Sequence, residues 1–433
     1  MRICTARLAI FCSRTVLAAG LCMPVLLQAD QATSQVHQHI GSVLISAGDY
    51  DRTDTPLAVN VPKTVKIPSA ALWIRMAGPG DHDPVPAQYT ADDRSLSWIL
   101  PVPLKRNGIM TCQIIAMDKS SPRGIEVRDD QKALLLQTFA GKALQFNYAI
   151  VEPPAGSDPR YRRGGFIHPL YSPAGRVLTD IHPPDHIHHL GLWHPWTNTR
   201  YDGQPVDFWN IGKGQGTVRF DRFLSQFSGP VCGGFRAAMQ SVMRPGQNGE
   251  TIVLNEIFGL WTWAIPSSLK VFVTDYRIAQ ECATAKPLEL PRYRYGGLCL
   301  RGARSWLGEN RYYLSSEGKT VVDTDGSRAR WCMAGGTFPD GVQAGVPILS
   351  HPENFDHPEP LRTWGKGFGT PAVFLNFAPT KLTSWSLQPD TTYTRQYRII
   401  TFDGRLPAER AERFWQDFAH PPQVRVSWAL PSK

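Results

Sequence analysis

The fold of this chain is decided by two neighbouring stretches, ETIVLNEIFGLWTWAIP at residues 250–266 and SLKVFVTDYRIAQECA at residues 268–283. Both are rich in β-branched and aromatic residues and alternate loosely between apolar and polar positions. Such residues fit the pleated surface of a sheet better than a helix. The two stretches therefore predict long strands of a large antiparallel sheet, joined by a turn that contains proline and serine.

Shorter runs of the same kind fill most of the remaining chain, and its 36 prolines and 37 glycines are scattered between them in a way that favours turns. PAERAERFWQDFAH, at residues 407–420, has the apolar spacing of an amphipathic helix and a proline at its start. We therefore predict an all-β fold, an antiparallel β-sandwich or supersandwich with a smaller N-terminal β region and one C-terminal helix.

The N-terminus is typical of an export signal. Three arginines precede an apolar run at residues 15–29. The run is too short to span a bilayer comfortably, and Ala29 offers a cleavage point. The alternative is an uncleaved membrane anchor; no later apolar run reaches the roughly 18 residues of a spanning helix. We predict a signal peptide at residues 1–29, an N-terminal β-sandwich region at 30–155 and a main β-sandwich domain at 156–433. The protein is expected to be periplasmic or extracellular.

The charge pattern argues against nucleic acid as a partner. The net charge is +9, but lysine and arginine form only short clusters such as RYRR at residues 160–163. Surfaces that bind nucleic acid carry clustered basic patches or stripes. A mildly basic surface also suits an acidic polysaccharide.

The cysteines after the signal are odd in number. They are Cys112, Cys232, Cys282, Cys299 and Cys332. In an exported protein they predict either one or two disulfides or buried free thiols, and no Cys-x-x-Cys spacing typical of a structural zinc site is present.

Histidines concentrate in DIHPPDHIHHLGLWHPW at residues 180–196, which holds five of the twelve in the chain. In an extended strand, residues two apart share a face, so His186 and His188 would point together and His189 the other way. Two imidazoles on one face, with a third ligand from a neighbouring strand, predict a metal site or a proton-transfer site. Asp185 is close enough in sequence to orient an imidazole. The alternative is a packed, aromatic-rich turn without function.

Aromatic and polar residues near this segment are candidates for binding a sugar ring, which has an apolar face and a polar rim. The candidate substrate-binding residues are His168, Trp193, Asn198, Trp209 and His351. Both tryptophans are expected to stack on sugar, although an aromatic core is the alternative explanation for each. His168 lies in GGFIHPLYSPAG, whose glycine and proline turns suit the mouth of a pocket.

Two charged residues lie in otherwise apolar strands, Glu256 in IVLNEIFGLW and Arg301 in GGLCLRG. A lone buried carboxylate is costly, so each is the expected partner of the other. The pair would be a structural ion pair, a clamp for a substrate carboxylate, or an acid/base set near the histidines.

Several motifs together resemble the DUF6807 family. They are SAGDYDRTDTPLAVNVP at residues 46–62, HPLYSP at 168–173, DHIHHLGLW at 185–193, YGGLCLRG at 295–302 and VPILSHPENF at 346–355. The family is often labelled "methane oxygenase PmoA", and that label implies a metal-dependent oxidoreductase. The β-rich pattern is also similar to galactose-mutarotase-like supersandwich proteins, which include sugar epimerases and polysaccharide lyases. That similarity implies proton transfer by His and Glu or Tyr side chains on a bound sugar.

We predict an exported carbohydrate-active enzyme, a lyase or hydrolase that cleaves a glycosidic bond in a carbohydrate substrate. Its candidate catalytic residues are His186, His188, His189, Glu256 and Arg301. Two alternatives stay open. One is a non-catalytic periplasmic sugar-binding protein; the other is a metal-dependent oxidoreductase with a divalent ion, copper among the metals, at His186 and His188.

Overall fold

The apolar runs of the sequence form antiparallel strands throughout the computed structural model, which describes residues 38–77, 82–244, 249–369 and 371–429. The signal peptide predicted at residues 1–29 lies outside these ranges. Within them the chain is mostly β, which confirms the predicted fold class.

Twenty-seven strands and one helix follow one another along the described chain. The first six strands are β1 (Gln38–Ser46), β2 (Pro56–Asn60), β3 (Ala71–Met76), β4 (Val85–Thr90), β5 (Ser95–Ile99) and β6 (Ile109–Met117). There follow β7 (Ile125–Asp129), β8 (Ala133–Thr138), β9 (Gly141–Asn147), β10 (Phe166–Leu170), β11 (Leu192–Trp193), β12 (Thr199–Tyr201) and β13 (Gln204–Val206). Four long strands, β14 (Gly216–Phe227), β15 (Cys232–Met243), β16 (Thr251–Trp263) and β17 (Val271–Cys282), precede β18 (Leu288–Leu290), β19 (Cys299–Arg301) and β20 (Arg311–Ser315). The last elements are β21 (Trp331–Thr337), β22 (Gln343–Ser350), β23 (Leu361–Thr363), β24 (Phe374–Phe377), β25 (Trp385–Leu387), β26 (Tyr393–Asp403), α1 (Ala408–Ala419) and β27 (Gln423–Trp428).

The described strands form four sheets. The N-terminal sheet has the order β2-β5-β4-β3-β6-β1-β27, and a second sheet, which we call the site sheet, has the order β23-β24-β19-β11-β10-β9-β8-β7. The long-strand sheet runs β14-β15-β16-β17-β26-β22-β21-β20, and a small sheet runs β13-β12-β18-β25. The strand pairs within all four sheets are antiparallel.

The two stretches that predict long strands are β16 and β17, paired in register over most of their length. Phe258 lies opposite Ile278, and Leu260 lies opposite Tyr276. Such aromatic–aliphatic cross-strand pairs stabilise a sheet. These side chains enter a single apolar core that the long-strand sheet shares with the site sheet and the small sheet, so the three sheets form one sandwich.

The N-terminal sheet has an apolar core of its own and ends at β6 along the chain, before β27 returns to pair with β1. Strands β7 to β9 belong instead to the site sheet. The boundary predicted at residue 155 therefore falls between β9 and β10, which are hydrogen-bonded neighbours. Contacts between residues group 37–433 into one compact unit.

The amphipathic segment near the C-terminus forms α1, as predicted, and buries Ala411, Phe414 and Trp415 against the outer face of the long-strand sheet. No described helix is long and apolar enough to cross a membrane. The five cysteines of the described chain are free thiols, four of them buried.

Candidate functional site

Three parts of the chain that are distant in sequence meet at one end of the strands of the site sheet. β11 lies between β10 and β19, so the histidine segment that leads into β11 runs beside the end of β19. The N–H of Arg301 on β19 donates to the carbonyl of Gly191 at 2.7 Å. The next strands in the sheet are β24 and β23, which bring Arg362 and Trp364 to the same edge.

The histidine segment is a series of turns and not the extended strand that its spacing suggested. The N–H of His186 donates to the carbonyl of Pro183, and the N–H of His189 donates to the carbonyl of His186. At the base of the loop, the N–H of His182 donates to the carbonyl of His189. Proline at two consecutive positions removes backbone donors and favours turns, which outweighs the strand pattern.

Turning brings all three imidazoles together, so the prediction that His189 points away from His186 and His188 is wrong. The ring centroids of His186 and His189 are 4.9 Å apart, those of His188 and His189 are 4.8 Å apart, and those of His186 and His188 are 5.6 Å apart. The chain thus places a cluster of three imidazoles where an extended strand would have placed two.

Arg301 binds Asp185 through two parallel hydrogen bonds, Nη1 to Oδ2 at 2.8 Å and Nη2 to Oδ1 at 2.7 Å. The Arg301 side chain is almost fully buried, and its guanidinium lies 5.1 Å from the centre of the Trp364 ring. Partial burial works to raise the pKa of Asp185, but hydrogen bonds and charge from Arg301 outweigh it and lower that pKa. Asp185 is therefore an ionised carboxylate held in one orientation.

Asp185 in turn contacts His186, with Oδ2 3.0 Å from Nδ1 of the imidazole. An ionised carboxylate only accepts hydrogen bonds, so Nδ1 must carry the proton of this contact. In the neutral ring Nε2 is then the free base. The order Arg301, Asp185, His186 is the arrangement in which a carboxylate fixes the tautomer of a general base.

Burial keeps His188 and His189 neutral at ordinary pH. Burial, followed by the charge of His186, lowers the pKa of His188 to about 4. Burial lowers the pKa of His189 well below its usual value, and this ring packs against both Trp364 and Phe374, with ring centroids 5.5 and 5.1 Å apart. Both rings border the same cavity, His189 from within the core and His188 from a half-buried position.

That cavity, which we call the histidine pocket, has a volume of about 240 Å³. It is lined by His186, His188, His189, Trp209, Asn210, Arg294, Tyr295, Arg362, Trp364, Phe368 and Phe374. Trp364 stacks between Phe368 and Phe374, with ring centroids 5.2 and 4.8 Å apart. The lining thus combines an aromatic wall with three imidazoles and two arginines, and it contains no carboxylate.

A hydrogen-bond chain fixes the other wall of the histidine pocket. The Tyr295 hydroxyl donates to Oδ1 of Asn210 at 3.1 Å, and Nδ2 of Asn210 donates to Asp207 at 2.7 Å. The second oxygen of Asp207 accepts from the backbone N–H groups of Trp209 and Asn210. Asp207 thereby holds a turn that presents both residues to the cavity.

The predicted site residues divide into two groups. His186, His188, His189 and Trp209 line the histidine pocket, and Arg301 acts through Asp185 behind it. Trp193 packs behind the pocket against His189 and Trp209, so it has no face for a sugar. Trp209 is itself 1% exposed, and the aromatic rings with accessible area are Phe368 and Tyr295.

The predicted pairing of Glu256 with Arg301 is wrong. Glu256 is buried on β16, where it accepts hydrogen bonds from Ser241 and from Gln280, both at 2.6 Å. Burial raises the pKa of Glu256, although these two hydrogen bonds counteract it. The pairing failed because a strand pattern does not tell which of two facing sheets supplies the partner.

Three further candidates lie away from the histidine pocket. His168 contacts the Thr179 hydroxyl at 2.9 Å, and burial lowers its pKa to about 4. Asn198 is exposed in a turn with φ of 48°. His351 packs edge-on against Phe418 of α1, on the outer side of the long-strand sheet.

Seven pocket residues were absent from the sequence-based set: Asn210, Arg294, Tyr295, Arg362, Trp364, Phe368 and Phe374. A signal existed for Arg294 and Tyr295, since the PRYRYGG stretch leads directly into Arg301. Arg362, Trp364 and Phe368 come from LRTWGKGFG, which mixes aromatic residues with glycines but shows nothing of its place beside β19.

The metal predicted at His186 and His188 requires a third ligand. Across residues 38–77, 82–244, 249–369 and 371–429, no group of three His, Cys, Asp or Glu side chains is arranged to hold an ion. Asp185, the nearest carboxylate, already uses both oxygens for Arg301. The donor set does not fit a metal in this arrangement.

Residues 138–416 match the sequence model of DUF6807, a family of unknown function. The match covers more than half of the chain and includes every residue that lines the histidine pocket. The chain therefore belongs to the DUF6807 family. No curated protein matches it.

Proposed function

We propose that this chain is a carbohydrate-active enzyme that cleaves a glycosidic bond, with His186 as the group that moves a proton. One observation carries the proposal: hydrogen bonds link Arg301 to Asp185 and Asp185 to His186, and His186 lines a cavity. A base held by a carboxylate, which is itself held by a buried arginine, is an expensive arrangement for structure alone.

A sugar suits the histidine pocket by size and by chemistry. A volume of about 240 Å³ is at the small end of ligand sites, which favours one or two sugar units over a large cofactor. Phe368, 36% exposed, adds apolar ring area beside the Arg362 guanidinium, which lies 4.7 Å from the centre of its ring, so C–H groups and a polar rim can be met together. Asn210, His188 and the arginines supply hydrogen-bond partners for the hydroxyl rim.

Elimination fits this pocket better than hydrolysis. Most glycoside hydrolases use two carboxylates across the scissile bond, and the lining of the histidine pocket has none. It has two cations instead, Arg294 and Arg362. The latter shares Asp325 with Lys381, each nitrogen 2.8 Å from an oxygen, so two positive charges meet one negative charge. The pocket therefore favours a sugar that carries a carboxylate.

In such a uronate, the proton next to the carboxylate is acidified when cations neutralise the charge on the carboxylate. His186 takes that proton from C5 through Nε2. The electron pair of the C–H bond forms the C4–C5 double bond, the bond from C4 to the leaving oxygen breaks, and the leaving oxygen takes a proton from solvent. Asp185 and Arg301 stabilise the imidazolium that forms on His186.

Export is proposed on the sequence alone, through the signal at residues 1–29. A periplasmic or extracellular enzyme would meet polymeric glycans directly. N-terminal sequencing of protein recovered from outside the cytoplasm tests this: a start near Asp30 supports cleavage, and a retained Met1 contradicts it.

The direct test incubates purified protein with neutral and uronate-containing glycans and follows reducing ends together with the ultraviolet absorbance of the unsaturated uronide. We expect both signals with uronate substrates. Reducing ends without absorbance would mean hydrolysis. Binding without either signal would leave a sugar-binding protein, and His186→Ala would then bind as tightly as the natural chain.

A further inference from the structure

The RYRR cluster at residues 160–163 forms part of a second cavity. Its volume is about 430 Å³, and it is lined by Ile150, Pro159, Arg160, Arg162, Arg163, Thr217, Val218, Arg219 and Arg244. We call it the arginine groove. Its five arginines come from the short helical turn before β10, from β14 and from the end of β15.

The arginine groove is tied to one wall of the histidine pocket. Nη1 of Arg163 donates to the carbonyl of Trp209 at 3.2 Å, and Arg160 donates to the carbonyl of Gly212. Trp209 and Asn210 line the histidine pocket. One short segment, residues 209–212, thus lines the histidine pocket and accepts hydrogen bonds from two arginines of the groove, so a glycan bound in one cavity is close to the other.

The charges in the arginine groove do not cancel. Arg160 pairs with Asp158 and Arg162 pairs with Glu152. Arg219 and Arg244 share a single carboxylate, Glu250, at 2.6 and 3.2 Å. Five guanidinium groups therefore meet three carboxylates within the described chain, and the groove keeps a net positive charge.

Arg163 indicates a bound anion independently of the net charge of the groove. The residue is only 3% exposed, and it forms no ion pair with a described residue. Its Nε has no hydrogen-bond partner among the described residues. Burial lowers the pKa of Arg163 to about 10, which still leaves it a cation at neutral pH. The charge of Asp207 favours the cation only at longer range, without a direct ion pair, so burial of Arg163 stays costly and an anion bound in the groove would offset that cost.

The remaining lining of the arginine groove is largely aliphatic. Ile150 is 53% exposed, and Val218 and Pro159 lie beside it. Aliphatic surface next to guanidinium groups suits a sugar ring with an acidic substituent. The groove lining contains no aromatic side chain, so the bases of single-stranded nucleic acid have no ring on which to stack.

We propose that the arginine groove is an anion-binding subsite that holds carboxylate or sulfate groups of an acidic glycan whose reacting unit occupies the histidine pocket. The proposal rests on the proposed function, because it assumes the glycan as the ligand. It adds that the substrate is a polymer that carries charges on units beyond the one that reacts.

The experiment measures binding, not turnover. The full chain and Arg219→Gln/Arg244→Gln are titrated with polygalacturonate, dextran sulfate, neutral dextran and a single-stranded DNA oligonucleotide at low and at physiological salt. The matched control is Arg128→Gln/Arg222→Gln, which removes two ion-paired arginines outside the groove that are at least as exposed as Arg219 and Arg244. Thermal unfolding verifies that both variants are folded.

We expect the groove variant to bind one or both acidic glycans about tenfold more weakly, as the loss of two surface charge contacts implies, and the control to bind within about twofold of the natural chain. The glycan that binds more tightly shows whether the groove prefers carboxylate or sulfate groups. Equal losses in both variants, equal binding of neutral dextran, or tighter groove-dependent binding of DNA would each overturn the proposal. Glycan binding without cleavage would overturn only the proposed function. Cleavage of a glycan whose binding is unchanged in the groove variant would overturn only the proposed subsite.

Discussion

The Trp364 ring lies 4.6 Å from the ring of His186, centroid to centroid, and the same indole carries the guanidinium of Arg301 on its face. One side chain from the end of β23 therefore contacts both ends of the connection from Arg301 through Asp185 to His186. Trp364 thereby supports the positions of base and arginine together, which links the packing of the site sheet to proton transfer.

Replacement of Asp185 by asparagine is expected to lower kcat by about 100- to 10,000-fold, because an amide can present its NH₂ to Nδ1 of His186 and favour the wrong tautomer. KM should change little, since Asp185 does not line the pocket. Turnover of the uronate substrate under saturation is the measurement.

Asp180→Asn is the control for that experiment. Asp180 lies on the same segment and also binds an arginine through both oxygens, but its partner Arg304 is 65% exposed and neither contacts His186. If the two variants lose activity equally, Asp185 serves to stabilise the histidine segment and does not set the tautomer of His186.

Arg362→Gln should raise KM for a uronate substrate roughly fivefold and lower kcat by less, since removing one charge contact to the substrate costs about 1 kcal/mol. A neutral oligosaccharide of the same length should bind equally to both proteins. The comparison of KM for charged and neutral substrates, repeated at raised salt, checks the charge contribution. An equal increase in KM for both substrates would show that Arg362 shapes the pocket without sensing charge.

Much of the fold was accessible from the sequence, because it follows from local patterns. The β-branched alternation of β16 and β17 and the periodicity of α1 each lie within one stretch. The site was only half accessible. The histidine segment identified the place, but Asp185 and its partner Arg301 are 116 positions apart, and residues 361–374 arrive through the order of strands in the site sheet. Periodicity specifies neither register nor strand order.

Acid should destabilise this protein through its buried histidines. The pKa of His188 is about 4 in the folded chain and about 6.5 when unfolded, so below pH ~6.5 the unfolded state binds more protons. The stabilisation is fully present above pH ~6.5 and is lost as the pH falls towards ~4. Urea unfolding at about pH 7 and about pH 5 measures the loss.

His188→Asn should reduce that dependence on pH, because it removes one titrating group and keeps a polar side chain. His168, whose pKa is also about 4, supplies a comparison away from the pocket. An unfolding free energy of His188→Asn that falls between the two pH values as steeply as that of the natural chain would mean that His188 is solvated and titrates normally.

Trp364 and Phe368 stack on each other, but we expect Trp364 to stabilise the fold and Phe368 to bind sugar. Trp364 is 4% exposed, so Trp364→Ala should lower the free energy of unfolding by about 3–5 kcal/mol, through lost burial and the cavity left behind. Phe368 is 36% exposed, and Phe368→Ala should stay within about 1 kcal/mol of the natural chain while weakening sugar binding. Urea unfolding and glycan titration of both variants separate the roles. Trp364→Phe should recover part of the stability, because it restores an aromatic ring between Phe374 and Phe368. Unchanged binding by Phe368→Ala would remove this ring from the proposed sugar site.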